Sequence, residues 1–250
     1  MKHATPIRHI TAKTVLLAFV ISFAVFGSVL MMAALSKGRI EDDSTETDAT
    51  LGRVRTAVLF FRKNVDELTG AILLTVDARR MEITARGVSP EEEIDGRSLQ
   101  NLYKTGSLYA ATQLAAQYGT SADGVLSFSV SNVAAFLVYA GERLSLTLPE
   151  QVGILPTGES TLTPMQVADV LRYKNWSNGT AGQADIHAAV VAAIFNRYLV
   201  KDRDLERDFK KVTELCDERL YISQFEAIKE ELYALAEQNN GAIAKTESTQ

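Results

Sequence analysis

The chain has 250 residues, with 26 lysines and arginines against 31 aspartates and glutamates, giving a formal net charge of -5. The basic residues are scattered rather than grouped in a stripe, so no nucleic-acid partner is expected. Cys216 is the only cysteine, which excludes an intramolecular disulfide, and His187 is the only histidine after the first ten residues. A histidine-rich zinc site is therefore excluded as well.

An uncharged apolar segment, VLLAFVISFAVFGSVLMMAAL, occupies Val15–Leu35. As a helix rising about 1.5 Å per residue it spans about 30 Å, the thickness of a bilayer's hydrocarbon core. Lys2, Arg8 and Lys13 precede it, whereas the sequence after it turns acidic, so the N-terminus is expected in the cytoplasm. We predict a signal anchor with a cytoplasmic tail at 1–14, whose partner is the lipid bilayer of the plasma membrane.

The alternative for this segment is a cleaved signal peptide. The apolar region of a signal peptide usually covers only about 7 to 15 residues and ends in an Ala-x-Ala-like site, which MMAALSKG does not provide. An uncleaved, single-pass anchor is therefore favoured. Residues 36–52 are acidic and rich in serine and threonine, which predicts a flexible stalk leading to an extracytoplasmic domain.

The rest of the chain carries strand and helix patterns in turn. Short runs of β-branched and aromatic residues predict three adjacent strands, at Thr56–Phe61, Ala71–Val76 and Met81–Ala85. The next predicted elements, in chain order, are a helix at Leu99–Tyr118, a strand at Val125–Val130, a helix capped by Ser131 or Asn132 that runs to Tyr139, and a strand at Leu144–Leu148. The last strand, helix and strand predict a crossover unit.

Helices dominate the C-terminal half. Thr163, Pro164 and Gln166 form a capping-box start for a helix that ends near Lys174. Three more helices are predicted at Gln183–Leu199, Leu205–Arg219 and Ser223–Gln238, followed by a disordered tail at 239–250. Strands alternating with helices predict an α/β fold, an α+β sandwich in which helices pack on a mixed central sheet.

The segment GESTLTPMQVADVLRYK resembles a stretch that recurs in the LytR-CpsA-Psr cell-envelope family. The matching positions are Gly158, Leu162, Gln166, Ala168, Arg172 and Lys174. The strand pair TGAILLTVDARRMEITA and the following helix and strand-helix-strand unit are similar to that family in the same order. The resemblance predicts a LytR-CpsA-Psr-like domain at 53–200, with a C-terminal helical pair at 201–238 outside it.

The resemblance implies transfer of a glycopolymer phosphate from a polyprenyl-pyrophosphate carrier to peptidoglycan. It also implies Mg²⁺ on the pyrophosphate, arginines that bind the phosphates, and an apolar cavity for the lipid chain. The residues that it points to for phosphate binding are Arg172, Lys174, Arg86, Gln183 and His187. The metal candidates are Asp66 and Glu67, which matter only if the chain is an active enzyme.

The chain departs from the family's pattern where that chemistry needs charge. Thr69 and Gly70 stand where the family has an acidic residue, and Val88 and Ser89 stand where it has an Arg-Asp pair. Lys174 replaces an arginine, which keeps the charge but loses the bidentate geometry for phosphate.

We therefore predict a catalytically impaired binding or accessory protein for polyprenyl-(pyro)phosphate-linked envelope glycopolymers. Two alternatives remain open: an active phosphotransferase with rewired ligands, and a structural partner protein of the cell envelope. For His187, the sequence alone favours a position on a helix surface.

Overall fold

The computed structural model describes residues 54–141, 143–201, 203–217, 222–238 and 244–247, which belong to one compact unit. The predicted anchor at Val15–Leu35, the cytoplasmic tail and the stalk lie outside these residues. No helix in the described part of the chain is long and apolar enough to cross a bilayer.

Nine strands and seven helices are present in the described residues. The strands are β1 (Val54–Asn64), β2 (Glu67–Asp77), β3 (Glu82–Val88), β4 (Glu93–Ile94), β5 (Arg97–Ser98), β6 (Gly124–Ser129), β7 (Leu144–Leu148), β8 (Gly158–Leu162) and β9 (Ala244–Glu247). The helices are α1 (Leu99–Thr105), α2 (Ser107–Gln117), α3 (Val130–Ala140), α4 (Pro164–Arg172), α5 (Gly179–Tyr198), α6 (Leu205–Leu215) and α7 (Ile222–Gln238).

The central sheet has the strand order β6-β1-β2-β3-β9. The predicted neighbours β1, β2 and β3 pair antiparallel, whereas β6 and β9 each add a parallel strand at an edge. The sheet is therefore mixed, as the sequence predicts.

Alternation along the central strands sends side chains to two separate cores. Leu59 and Phe61 of β1 face α3, α4, α5, α6 and α7, whereas Val58 and Phe60 face α1 and α2. Helices thus cover both faces of the sheet, and the predicted α/β class is confirmed.

Two local predictions around helix starts and stops are corrected. The helix predicted at Leu99–Tyr118 is two helices, because Gly106, with φ of 158°, leaves the helical conformation between α1 and α2. The cap of α3 is Ser129, whose side chain accepts a hydrogen bond from the backbone N–H of Asn132. In turn, the backbone N–H of Ser129 donates to Asn132 Oδ1. Asn132 is therefore the third residue of the helix in a capping box, and not its cap.

Two further predictions, one on the pairing of β7 and one on the C-terminal tail, are also wrong. β7 does not return to the central sheet beside β6 but pairs antiparallel with β8 in a separate two-stranded sheet, so no crossover unit forms. Within the predicted disordered tail, Ala244–Glu247 forms β9 along β3. By contrast, the capping box of Thr163 and Gln166 at the start of α4 is confirmed.

Candidate functional site

An apolar cavity of about 140 Å³ lies between the central sheet and the helices α3, α5, α6 and α7. Its lining residues include Leu59, Phe61, Leu126, Val133, Phe136, Val191, Phe195, Phe209, Val212, Ile228 and Leu232. A cavity of about 150 Å³ is known to hold a benzene-sized molecule, so this one holds a hydrocarbon body of roughly that size without rearrangement. A longer chain requires the surrounding helices to move apart.

Arg172 contacts a residue that is next in sequence to one of the cavity's lining residues. Asn132 at the start of α3 lines the cavity, and its neighbour Ser131 accepts a 3.2 Å hydrogen bond from Arg172 Nη2. Arg172 ends α4 and its side chain is exposed, so it remains accessible to an anion. The predicted phosphate ligand is thus bonded to the exposed residue that precedes Asn132 at the start of α3.

Glu67 lies within the electrostatic range of Lys174. Glu67 begins β2, and its carboxylate accepts from Lys63 Nζ at 2.6 Å and from Asn64 at 3.0 Å. The Lys63 hydrogen bond lowers the pKa of Glu67, and the charge of Lys174 adds to the effect. The carboxylate of Glu67, a predicted metal candidate, is therefore already paired with the ammonium group of Lys63.

Asp66, the other metal candidate, lies in the exposed turn between β1 and β2, where its backbone N–H donates to Asn64 Oδ1 at 3.0 Å. Among the described residues, no three or more His, Cys, Asp or Glu side chains gather in a geometry that could hold a metal ion.

Gln183 and His187 on α5 both contact the last turn of α4. Gln183 Nε2 donates to the carbonyl oxygen of Leu171 at 3.2 Å, and His187 Nε2 lies 3.1 Å from the same oxygen. The His187 ring is fully buried and stacks on Phe61 with 4.7 Å between ring centroids. The expectation that His187 lies on a helix surface is therefore wrong, because α5 is buried on the side that carries it.

Burial also fixes the protonation state of His187. Loss of solvent around the ring lowers its pKa to about 4, although the bond to Leu171 acts in the opposite direction. His187 is therefore neutral near pH 7, and its Nε2–H donates to Leu171. A neutral ring committed to a backbone carbonyl is not an anion ligand.

Two glycines allow α5 to approach the sheet closely. At Gly87 on β3, a Cβ atom would lie 2.4 Å from the carbonyl oxygen of Ala184, and at Gly70 on β2 it would lie 3.2 Å from His187 Nδ1. Gly70 is one of the two positions at which the sequence resemblance predicts an acidic residue. The backbone of α5 and the His187 ring thus pack directly against this part of the sheet.

Arg86 belongs to the opposite face of the sheet from α4. Its guanidinium pairs with Glu247 of β9 and lies 4.7 Å from the ring centre of Tyr118, which packs with α1 and α2. Arg86 therefore cannot join Arg172 around one ligand.

Asp66 and Glu67 lie together at the β1–β2 turn, where the charge of Lys174 acts on Glu67. Gln183 and His187 contact Leu171, the residue before Arg172, whereas Arg86 lies on the opposite face of the sheet. Neither Ser131 as the partner of Arg172 nor Gly87 as the contact of α5 was predicted from the sequence. A signal for Gly87 was present, since a glycine inside a strand often marks the close approach of another backbone.

The chain matches no family model and no curated protein sequence, but it resembles several solved structures. A protein from Eubacterium siraeum described as a transcription regulator is 14% identical, with a TM-score of 0.67, covering 78% of this chain and 81% of that one. TagV from B. subtilis is 11% identical, with a TM-score of 0.56, covering 79% and 86%. TagU from B. subtilis is 13% identical, with a TM-score of 0.53, covering 77% and 84%. At these identities the likeness establishes a shared fold.

Proposed function

We propose that the protein is a plasma-membrane-anchored, extracytoplasmic LytR-CpsA-Psr-like domain that binds polyprenyl-(pyro)phosphate lipids carrying envelope glycopolymers without cleaving them. The fold shared with TagV and TagU, which are proteins of that family, supports the class. The resemblance of GESTLTPMQVADVLRYK to the family's recurrent stretch supports the same class independently.

The observation that carries the binding role is the position of Arg172 next to the apolar cavity. Phosphate on a hydrocarbon chain needs a cation beside an apolar space, and Arg172 and the cavity are linked through Ser131 and Asn132. Arginine suits this task because its guanidinium offers several fixed N–H donors to phosphate oxygens.

The loss of catalysis is supported by the packing of α5. Phosphoryl transfer depends on charges that neutralise the transferring group, usually with Mg²⁺ held by carboxylates. Here Gly70 and Gly87 face the backbone of α5 and the His187 ring, and Glu67 is paired with Lys63. The alternative, an active phosphotransferase with rewired ligands, would need Asp66 and Glu67 to leave this arrangement.

Lipid binding is tested with the full-length protein in detergent and a fluorescent polyprenyl phosphate. Val191→Phe places a larger side chain in the cavity and is expected to weaken binding at least tenfold. The matched control is Val138→Phe on the exposed side of α3, where the same substitution should change nothing. Equal affinity in the wild type and both variants would refute the cavity as the lipid site.

A further inference from the structure

Helix α3 exposes a face that carries no charge. None of its residues, VSNVAAFLVYA, is acidic or basic, and those that are exposed are Ser131, Ala135, Val138 and Tyr139. Residues spaced by three or four positions lie on the same side of a helix, so these four form one continuous stripe, the α3 stripe. The exposed side of a surface helix usually carries charged residues, which the α3 stripe lacks.

An arginine lies at each end of the α3 stripe. In the first turn, Arg172 Nη2 donates to Ser131 at 3.2 Å. In the last turn, the guanidinium of Arg207 on α6 lies 5.6 Å from the ring centre of Tyr139. Both arginines are exposed, and no carboxylate in the described part of the chain forms a salt bridge with either.

The other charges near the stripe largely cancel. Lys211 also approaches the Tyr139 ring, but it pairs with Glu214 at 3.3 Å, so its charge is already compensated. Asp169 is exposed one turn before Arg172 on α4. The surroundings of the stripe are therefore only weakly positive, and the two arginines act on groups that they contact rather than over a long range.

An apolar helix face with an arginine at each end fits the interface of a phospholipid bilayer. Helices at this interface bury their apolar side just below the headgroups, and tyrosine is enriched at the same depth. Arginine extends from an apolar surface to a lipid phosphate along its hydrocarbon stem. A second copy of this chain fits less well, because a symmetric contact through α3 would bring the arginines of both copies together.

The proposed anchor would keep a bilayer within reach of the α3 stripe. Residues 36–52 provide a connection of 17 residues. A flexible chain of that length has an average end-to-end distance of about 20–25 Å. A tether of this kind raises the effective concentration of the two partners to about the millimolar range, so even a small docking surface is sufficient.

We propose that the α3 stripe docks on the outer surface of the phospholipid bilayer that holds the anchor. Val138 and Tyr139 lie below the headgroups, and Arg172 and Arg207 bind lipid phosphates.

Docking would also bring the apolar cavity next to the acyl chains. Three residues on the inner side of α3 line that cavity: Asn132, Val133 and Phe136. The proposal rests on the membrane anchoring given under the proposed function, but it does not require that the cavity binds a lipid.

The test uses the full-length protein in phospholipid nanodiscs, with an NBD fluorophore on a single introduced cysteine. Cys216 is the only native cysteine and it is buried, so Val138→Cys can be labelled selectively, with the wild type as the blank. The matched control is Leu108→Cys, because Leu108 is 38% exposed on α2, which covers the opposite face of the sheet.

The label at position 138 should emit at shorter wavelength than the label at position 108. Lipids brominated on their acyl chains should quench it at least about threefold more strongly, because only this label contacts the hydrocarbon region. Arg207→Gln should reduce that quenching about twofold or more. Arg79→Gln, which removes an exposed charge from the β2–β3 turn, should leave it unchanged.

Size-exclusion chromatography measures incorporation into the nanodiscs separately. Protein that incorporates while both labels remain equally exposed to water would overturn the docking and leave the anchoring intact. A shifted emission at position 138 without quenching by brominated lipid would also overturn it, and would identify a protein contact such as a second copy. Protein that does not incorporate would refute the anchoring and the docking together.

Discussion

Gly87 on β3 and Ala184 on α5 approach so closely that a Cβ atom at position 87 would lie 2.4 Å from the Ala184 carbonyl oxygen. Neither partner can yield easily, because the contact is with helix backbone and not with the end of a flexible side chain. Together with the contact of Gly70 and His187, it fixes the position of α5 on the sheet.

Gly87→Ala should lower the free energy of unfolding by about 1–3 kcal/mol, the usual cost of overpacking. The matched comparison is Gly70→Ala, where the added methyl group meets His187 Nδ1 at 3.2 Å and a side chain can shift. Chemical denaturation of both variants should therefore rank Gly87→Ala as the more destabilising. The reverse order would mean that α5 is not held by this contact.

His187 makes stability depend on pH in a defined window. Its pKa is about 4 in the folded protein and 6.5 in the unfolded chain, so the unfolded state binds the proton first. As the pH falls from 6.5 toward 4, the free energy of unfolding should decrease by about 1.4 kcal/mol per pH unit. Glu67, Glu82 and Glu206 have lowered pKa values, so they change the free energy of unfolding only when the pH falls to about 4.5, the ordinary pKa of the group, or lower.

Denaturation between pH 5 and 6.5 therefore isolates the histidine. In His187→Gln, which keeps a side-chain donor for Leu171 but does not titrate, the slope in this window should disappear. A wild type with no slope there would contradict the buried, neutral ring.

Arg203 and Asp208 form a largely buried ion pair next to the apolar cavity, and Arg203 also lies 4.2 Å from the ring centre of Tyr198. Asp208→Ala should lower the free energy of unfolding by about 3 kcal/mol, because it leaves a partly buried cation without this carboxylate. The control is Glu237→Ala, whose pair with Lys201 is exposed at 64% and 66% and should contribute less than about 1 kcal/mol. Similar losses in the two variants, measured in urea, would contradict this assignment.

The docking of β9 depends on Asn196. Asn196→Ala removes two hydrogen bonds to Ala244, of 2.8 and 2.7 Å, so β9 should detach from β3 more often. Amide exchange at Lys245 and Thr246 should then become about tenfold faster, as expected if the two bonds together contribute about 1–2 kcal/mol. The control is Asn101→Ala on the exposed side of α1, away from β9. Unchanged exchange in Asn196→Ala would show that the bonds of Asn196 do not hold the strand.

The elements that local signals define were predictable from the sequence. β1, β2 and β3 carry apolar runs separated by turn residues, and the capping box of Thr163 and Gln166 marks the start of α4 without reference to the rest of the chain.

β8 and β9 were missed because their stability comes from the strands with which they pair and not from their own side chains. Their sequences, GESTL and AKTE, are mostly polar, and they pair with β7 and β3 respectively. No local pattern distinguishes such a segment from a loop.

The candidate site was predictable in part, for a related reason. Arg172 was identified from its place in the motif, but its link to the cavity through Ser131 depends on how α3 and α4 pack together. His187 follows two polar residues in the sequence, Gln183 and Asp185, yet the helix turns it onto Phe61. Burial of a single polar residue on a long helix is a tertiary property.

The central claim, binding without cleavage, is tested most directly by incubating the full-length protein with Mg²⁺ and a polyprenyl-pyrophosphate-linked sugar while measuring both bound lipid and released polyprenyl phosphate. We expect saturable binding that Arg172→Gln weakens, with no polyprenyl phosphate above a protein-free control. Mg²⁺-dependent accumulation of polyprenyl phosphate that stops in Glu67→Gln would contradict the claim and identify an active phosphotransferase.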